Sequence, residues 1–436
     1  MGNVANGMSE ISASVNTWQR LPRALFGLAV LAVVLVLPGC ATYSASFATV
    51  ESATANRDLE GAVQSLDELK LSGTDEALHH LNKGTLLRLQ GRYAESNRHF
   101  DAAKAIMEKF NAISIKEQMA SVTVNDTMKA YEGLPSEQMM VYAFEALNYL
   151  QAGDPDGAAV EARQFDVKQH LIAEKNSNAK YLSGAFVRYL NGMVYEAAGE
   201  RDEARIEMQK AVEGYKAQNS GFPLPSALVA DVARLVAGKP AASEVVFILH
   251  NGLGPSLDEA VIRVRNPDPQ NGSAFLSLAI PKFVKRSLPV ARVVLSAGTS
   301  SATAEVVEDV NDIAEKSLDD RLPLITARAV ARMVAKNIAA GKAKKEGGDL
   351  LGFALDIATA VSERADTRTW SLLPGNIQMA RLPLPAGTHD VTATYYSANG
   401  NVIGSREFKG VVVRDRRKAF VSDYLLNPPA PPKAPQ

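Results

Sequence analysis

The sequence predicts an α+β protein, with an N-terminal superhelix of helical hairpins followed by an antiparallel β-sandwich-like domain that carries a helical insertion. Three observations lead there. Apolar residues recur at helical spacing over 57–238, the period changes to that of strands after Gly238, Lys239 and Pro240, and eight short runs rich in Val, Ile, Leu and Phe follow. With 436 residues, 46% of them hydrophobic and 22% charged, the chain has enough apolar material for such a core, and wholesale disorder is excluded. Its 47 basic and 48 acidic side chains leave a net charge of −1, so no general attraction for nucleic acid exists and no nucleic-acid partner is expected. The single cysteine excludes an intramolecular disulfide and a zinc site of several thiolates.

The first element is an address. Arg20 and Arg23 precede an apolar run at 24–37 that stops at Pro38, Gly39 and Cys40, the layout of a secretory leader. Fourteen residues rise only ~21 Å, short of a ~30 Å hydrocarbon core, so a permanent span is not expected. The stretch Leu35, Val36, Leu37, Pro38, Gly39, Cys40 resembles the bacterial lipobox, departing from it at Pro38, where a small residue is usual. That resemblance implies cleavage before Cys40, acyl chains such as palmitate on Cys40 as a lasting anchor, and, with Ala41 following, an outer-membrane location with the body in the periplasm. Residues 1–39 are accordingly a lipoprotein signal peptide, started at Met1 or Met8, and 40–56 the lipidated N-terminus and tether.

The helical domain is placed at 57–238. Leu59, Ala62, Val63, Leu66 and Leu69 form one apolar face, the second half of a degenerate hairpin. Three later windows share a frame: Gly84, Gly91, Tyr93, Phe100 and Ala103; Tyr142, Ala146, Tyr149, Gly153, Ala158 and Phe165; Gly192, Tyr195, Gly199, Ala204 and Ala211. These frames resemble tetratricopeptide repeats, in which a small residue lets paired helices approach and a glycine ends the first of them. Their turn glycines are 62 and 46 residues apart rather than the ~34 of tandem copies, so extra or longer helices are expected between repeats, for example across 113–131.

The β domain is placed at 240–426, with strands at 244–250, 259–265, 274–280, 290–296, 377–382, 389–396, 402–413 and 419–424. Asn399 and Gly400 mark a hairpin. The insertion, about 305–364, reads as three helices. The first is acidic, with Glu305, Glu308, Asp309, Asp312, Glu315, Asp319 and Asp320; the second carries Arg328, Arg332 and Lys336 on one stripe; the third, 350–361, is apolar. Residues 427–436 form a Pro-rich, extended, disordered tail.

Few residues form a pattern that carries chemistry, and neither a catalytic residue nor a cofactor is expected. Zincin, nucleophile-elbow, phosphate-loop and dinucleotide signatures do not occur. His79, His80 and His99 approach one another across a hairpin, but adjacent histidines point ~100° apart on a helix, and no metal is expected there. His250, Ser256 and Asp258 have the residue types of a hydrolase on one glycine loop, but working triads gather from separate segments, so a tight connection is preferred. Candidates for partner binding or for a structural junction are Tyr142, Tyr149, Glu161, Arg163, Asp366, Arg368 and Trp370.

Tyr131, Gly133, the run from Tyr142 through Tyr149 to Gly153, Val160 to Arg163, His250, Gly252 to Pro255, Asp319 to Arg321, Ala327 to Arg332, Ala365 to Arg368, Trp370, Leu373 and Pro374 resemble a family of proteobacterial envelope lipoproteins with a tetratricopeptide-like N-terminal half. The resemblance covers most of the chain after Cys40. It implies a non-enzymatic protein-interaction scaffold in cell-envelope assembly or maintenance, holding envelope proteins through its helical repeats and the membrane through Cys40. Two alternatives stand beside it: an envelope hydrolase or ligand-binding protein using the 250–256 loop, and an accessory lipoprotein of a secretion or polymer-export machine.

Overall fold

In a computed structural model of the protein, residues 46–69, 71–117, 129–218, 222–266, 275–347 and 364–426 are described. Cys40, the leader, the 350–361 helix and the 427–436 tail fall outside these residues. The chain divides into units 1–42 and 43–436, of which the second holds everything below.

The molecule mixes helix and sheet, as an α+β chain should. Helices come first: α1 Ala48–Ala55, α2 Leu59–Glu68, α3 Glu76–Leu89, α4 Tyr93–Glu117, α5 Pro135–Ala152, α6 Pro155–Lys175, α7 Ala185–Ala198, α8 Arg201–Ala217 and α9 Ser226–Val236. Each packs against the next from α3 to α9. The pairs α3/α4, α5/α6 and α7/α8 turn at Gly91, Gly153 and Gly199, whose φ of +78°, +81° and +88° glycine adopts without strain. Close approach has the same origin in sequence. A Cβ at Gly84 would stand 2.6 Å from the Phe100 ring, and one at Gly192 would clash with Met208 Cγ. Pro155 opens α6 where its missing N–H costs nothing, and Asp154 caps the turn by accepting from Gly157 N at 2.9 Å. The stretch assigned to the tether contains α1, with Phe47 and Val50 buried against α2 residues Ala62 and Leu66, so folded structure begins earlier than expected.

Ten strands follow: β1 Glu244–Asn251, β2 Ser256–Arg265, β3 Phe275–Val284, β4 Arg292–Ala297, β5 Ser300–Thr303, β6 Glu305–Asp309, β7 Asn376–Pro383, β8 Gly387–Tyr396, β9 Val402–Val413 and β10 Lys418–Leu425. They form sheets ordered β10-β1-β7-β6 and β5-β4-β8-β9, plus the β2-β3 pair. The expected purely antiparallel arrangement is corrected at one place. The last strand pairs with β1 in parallel, from Glu244 opposite Lys418 to Asn251 opposite Leu425. The acidic helix is corrected too: Glu305, Glu308 and Asp309 belong to β6, bulged at Val307, and the helix starts only at Val310. From there one helix, α10 Val310–Gly347, replaces the two expected, running through Pro323.

β1 explains the layering. Val245, Phe247 and Leu249 share a core with Val293 and Leu295 of β4 and Val391, Ala393 and Tyr395 of β8. Val246 and Ile248 face the other way, into a core with helical residues such as Phe144, Tyr189 and Met193. Strand periodicity thus sets one sheet between the helices and the second sheet. Among the described residues no helix is long and apolar enough to cross a membrane.

Candidate functional site

Residues 364–375, returning from the insertion to β7, lie along the helical hairpins, and Ala365, Thr367, Arg368, Thr369, Trp370, Leu372 and Leu373 are buried. Helix side chains satisfy the backbone of this segment. Trp370 N donates to Glu137 Oε1 at 2.7 Å, Leu372 N to Asn82 Oδ1 at 3.1 Å, and the indole Nε1 to Thr85 Oγ1 at 3.0 Å. The Trp370 ring packs edge-on to Phe144 at 5.3 Å and tilted to Phe100 at 5.7 Å, while His250 stacks on Phe144 at 5.0 Å. Glu137 also accepts from Leu134 N at 2.9 Å and from Tyr131 Oη. Burial raises its carboxyl above the ordinary range, against those hydrogen bonds.

Arg368 closes the start of the segment. It ion-pairs with Asp366 at 2.7 Å and Asp75 at 3.1 Å and donates to Lys129 O at 2.9 Å. Burial opposes its charge, but the two carboxylates more than offset that and raise its pKa. Asp366, Arg368 and Trp370, three of the predicted site residues, are therefore joined in one junction and meet the chain's own helices.

The other four predicted residues lie along α5 and α6. Lys104 Nζ of α4 sits 2.6 Å from Glu145 and 2.9 Å from Glu161, with Asp101 at 3.1 Å and the Tyr142 ring centre at 5.0 Å. Asp101, Glu145 and Glu161 have oxygens within 4.8 Å of one another, a spacing able to hold a cation, and the Lys104 ammonium already stands among them. Burial raises the Glu145 carboxyl well above its usual range, Lys104 opposes this, and the Glu161 charge adds to it. Tyr149 fills the α5/α6 turn, where a Cβ on Gly157 would stand 2.6 Å from its ring. Arg163 pairs with Glu200 at 2.6 Å and lies over the Tyr195 ring.

His250, Ser256 and Asp258 are not brought together. His250 is buried, and burial, helped by Arg88, lowers its pKa to about 3, so the ring is neutral. Its Nε2 has no hydrogen-bond partner, so neither Ser256 nor a carboxylate reaches that atom. Asp258 is exposed and accepts from its neighbour Glu259 N. His80 and His99 do meet, with Nδ1 atoms 2.8 Å apart, while His79 turns toward Asp67 at 3.5 Å.

Sequence reasoning passed over Glu137, Lys104 and Glu145, and also the outward face of α6. There Val160, Val167 and Leu171 are 47%, 67% and 49% exposed. Their spacing of seven and four residues puts them on one stripe, a signal that was present but masked by the buried face of the same helix. No family model, no curated protein and no solved structure matches this chain.

Proposed function

We propose that this chain is a lipid-anchored, periplasm-facing protein of the outer membrane that serves as an interaction scaffold in cell-envelope assembly or maintenance, with tetratricopeptide-like hairpins set on a β-sandwich. Cys40 behind its apolar run supports the anchor, and the recurrent glycine turns support the repeat reading. One observation carries the mode of binding. The inner side of the hairpins is filled by the chain's own 364–375 segment and first sheet, whereas α6 leaves an apolar stripe in solvent. A partner helix laid on Val160, Val167 and Leu171 removes that stripe from water. The hydrolase reading has less support, because His250 faces Phe144 rather than a nucleophile.

The experiment is photocrosslinking in intact cells from position 167, with position 213 on α8 as control. The scaffold reading expects one discrete envelope protein captured from 167, and its loss with Val160→Asp. Capture of lipid alone, or equal capture from both positions, overturns it. For the anchor, Cys40→Ser abolishes uptake of labelled palmitate; an unlabelled parent protein refutes it.

A further inference from the structure

His80 lies on α3 and His99 on α4, nineteen residues apart, and the turn at Gly91 folds the two helices back on each other. Both rings are half-buried, with centres 5.1 Å apart and planes tilted by 39°. Their facing atoms are both Nδ1, 2.8 Å apart. A hydrogen bond across that gap needs one ring to carry its proton on Nδ1 and the other to keep a lone pair there. With both protons on Nε2, the two lone pairs face the same gap, and a cation can take both.

Distance selects the kind of ion. Two nitrogens ~2.0 Å from a metal stand ~2.8 Å apart at a right angle and ~3.3 Å apart at the tetrahedral angle. The observed 2.8 Å matches the right angle, the geometry of Cu(II) and Ni(II) with nitrogen and oxygen donors. We propose that His80 and His99 bind a Cu(II) or Ni(II) ion through their Nδ1 atoms, at adjacent corners of a tetragonal site completed by water.

The surroundings agree. His79 packs edge-on to His80 with ring centres 5.8 Å apart and is directed to Asp67 instead, so it does not compete for the ion. Lys83 is the nearby cation, and Asp67 meets its charge at 2.8 Å. Among the described residues, three or more potential ligands gather only at Asp101, Glu145 and Glu161, where Lys104 already stands, so the remaining corners here go to water.

The test is titration of the purified full chain with Cu(II), followed by electron paramagnetic resonance and calorimetry, and repeated with Ni(II). One ion per chain with a two-nitrogen signature is expected. His80→Ala and His99→Ala each lower the affinity at least about tenfold, while His79→Ala leaves it unchanged. His170 and Glu174, an exposed pair at 3.3 Å, form the rival surface chelate, so His170→Ala also leaves it unchanged. Far-ultraviolet circular dichroism confirms that each variant is folded, with His80→Asn and His99→Asn replacing any alanine variant that is not. Undiminished binding in either His80 or His99 variant, loss in the His170 variant, or absence of a bound ion in the parent overturns the proposal.

Discussion

Trp370 is almost fully buried where the 364–375 segment meets the helices. Its ring touches Phe100 and Phe144, its indole N–H is satisfied by Thr85, and its backbone N–H is satisfied by buried Glu137. Trp370→Ala removes the ring and leaves the Thr85 hydroxyl without that donor, so a loss of about 3–5 kcal/mol is expected in urea unfolding. In a chain shortened to begin at residue 41 Trp370 is the sole tryptophan, and its blue-shifted fluorescence should move red in the same transition. A second residue couples folding to pH. Burial, with the Asp309 charge adding, raises the Glu308 carboxyl from 4.5 to about 8. The folded state therefore keeps a proton that the unfolded state releases, and stability falls as pH rises from about 4.5 to about 8, then levels off. Glu308→Gln should remove this slope and be more stable than the parent above pH 8 by a few kcal/mol, with no difference below pH 4. Parallel stability–pH curves for the two proteins would refute the assignment. The residue types at the 364–375 junction could be read from sequence, with its charges, tryptophan and turn residues together. What they touch could not, because Glu137, Asn82 and Thr85 lie some 230 to 290 positions away in the chain.

At the scale of elements, Lys104 ties α4 to α5 and α6. One ammonium meets a carboxylate from each of the two following helices, so the three cannot slide without separating buried charge. Lys104→Met leaves Glu145 and Glu161 facing each other and should cost about 3–5 kcal/mol. The triple variant Lys104→Met, Glu145→Gln, Glu161→Gln should recover most of that loss, since the one carboxylate left without its partner, Asp101, stands in solvent. A triple variant no more stable than the single one would show that the cluster is not the source. Elements were legible where local chemistry dictates them. Gly91, Gly153 and Gly199 end helices because the αL conformation suits glycine, and all eight expected strands appear within a few residues of their predicted bounds. β6 escaped because its acidic residues mimic a helix N-terminus, and its strand character comes from pairing with β7, seventy residues on. Glu145 was passed over since an acid in a helix usually faces water, and nothing local shows that a lysine from another hairpin will meet it.

The whole molecule is held by contacts that cross from helices to sheet. Arg381 of β7 reaches Asp231 of α9 at 2.7 Å and the Tyr189 hydroxyl at 2.8 Å, Lys418 of β10 pairs with Glu196 of α7, and Tyr215 donates to Val307 O at 2.6 Å. Arg57, at the α1–α2 turn, ion-pairs with Asp423 at 3.2 Å and tops the Tyr424 ring, so the first helices are fastened to the last strand. The helical half therefore does not own its core. Phe144, Met139, Met193 and Tyr189 share one apolar cluster with Val246, Ile248, Ile377, Met379 and Trp370. If residues 46–242 are produced alone, those side chains lose their cover and Asp231 and Glu196 lose the Arg381 and Lys418 charges. Secondary structure is set by the hairpins themselves, so far-ultraviolet circular dichroism should stay helical. Fixed packing is not, so the fragment should bind a hydrophobic dye and unfold over a broad range. The 46–426 chain, by contrast, should unfold in one sharp transition seen alike by fluorescence and by circular dichroism. A fragment that melts as sharply and at the same temperature as the longer chain would show that the hairpins are self-sufficient.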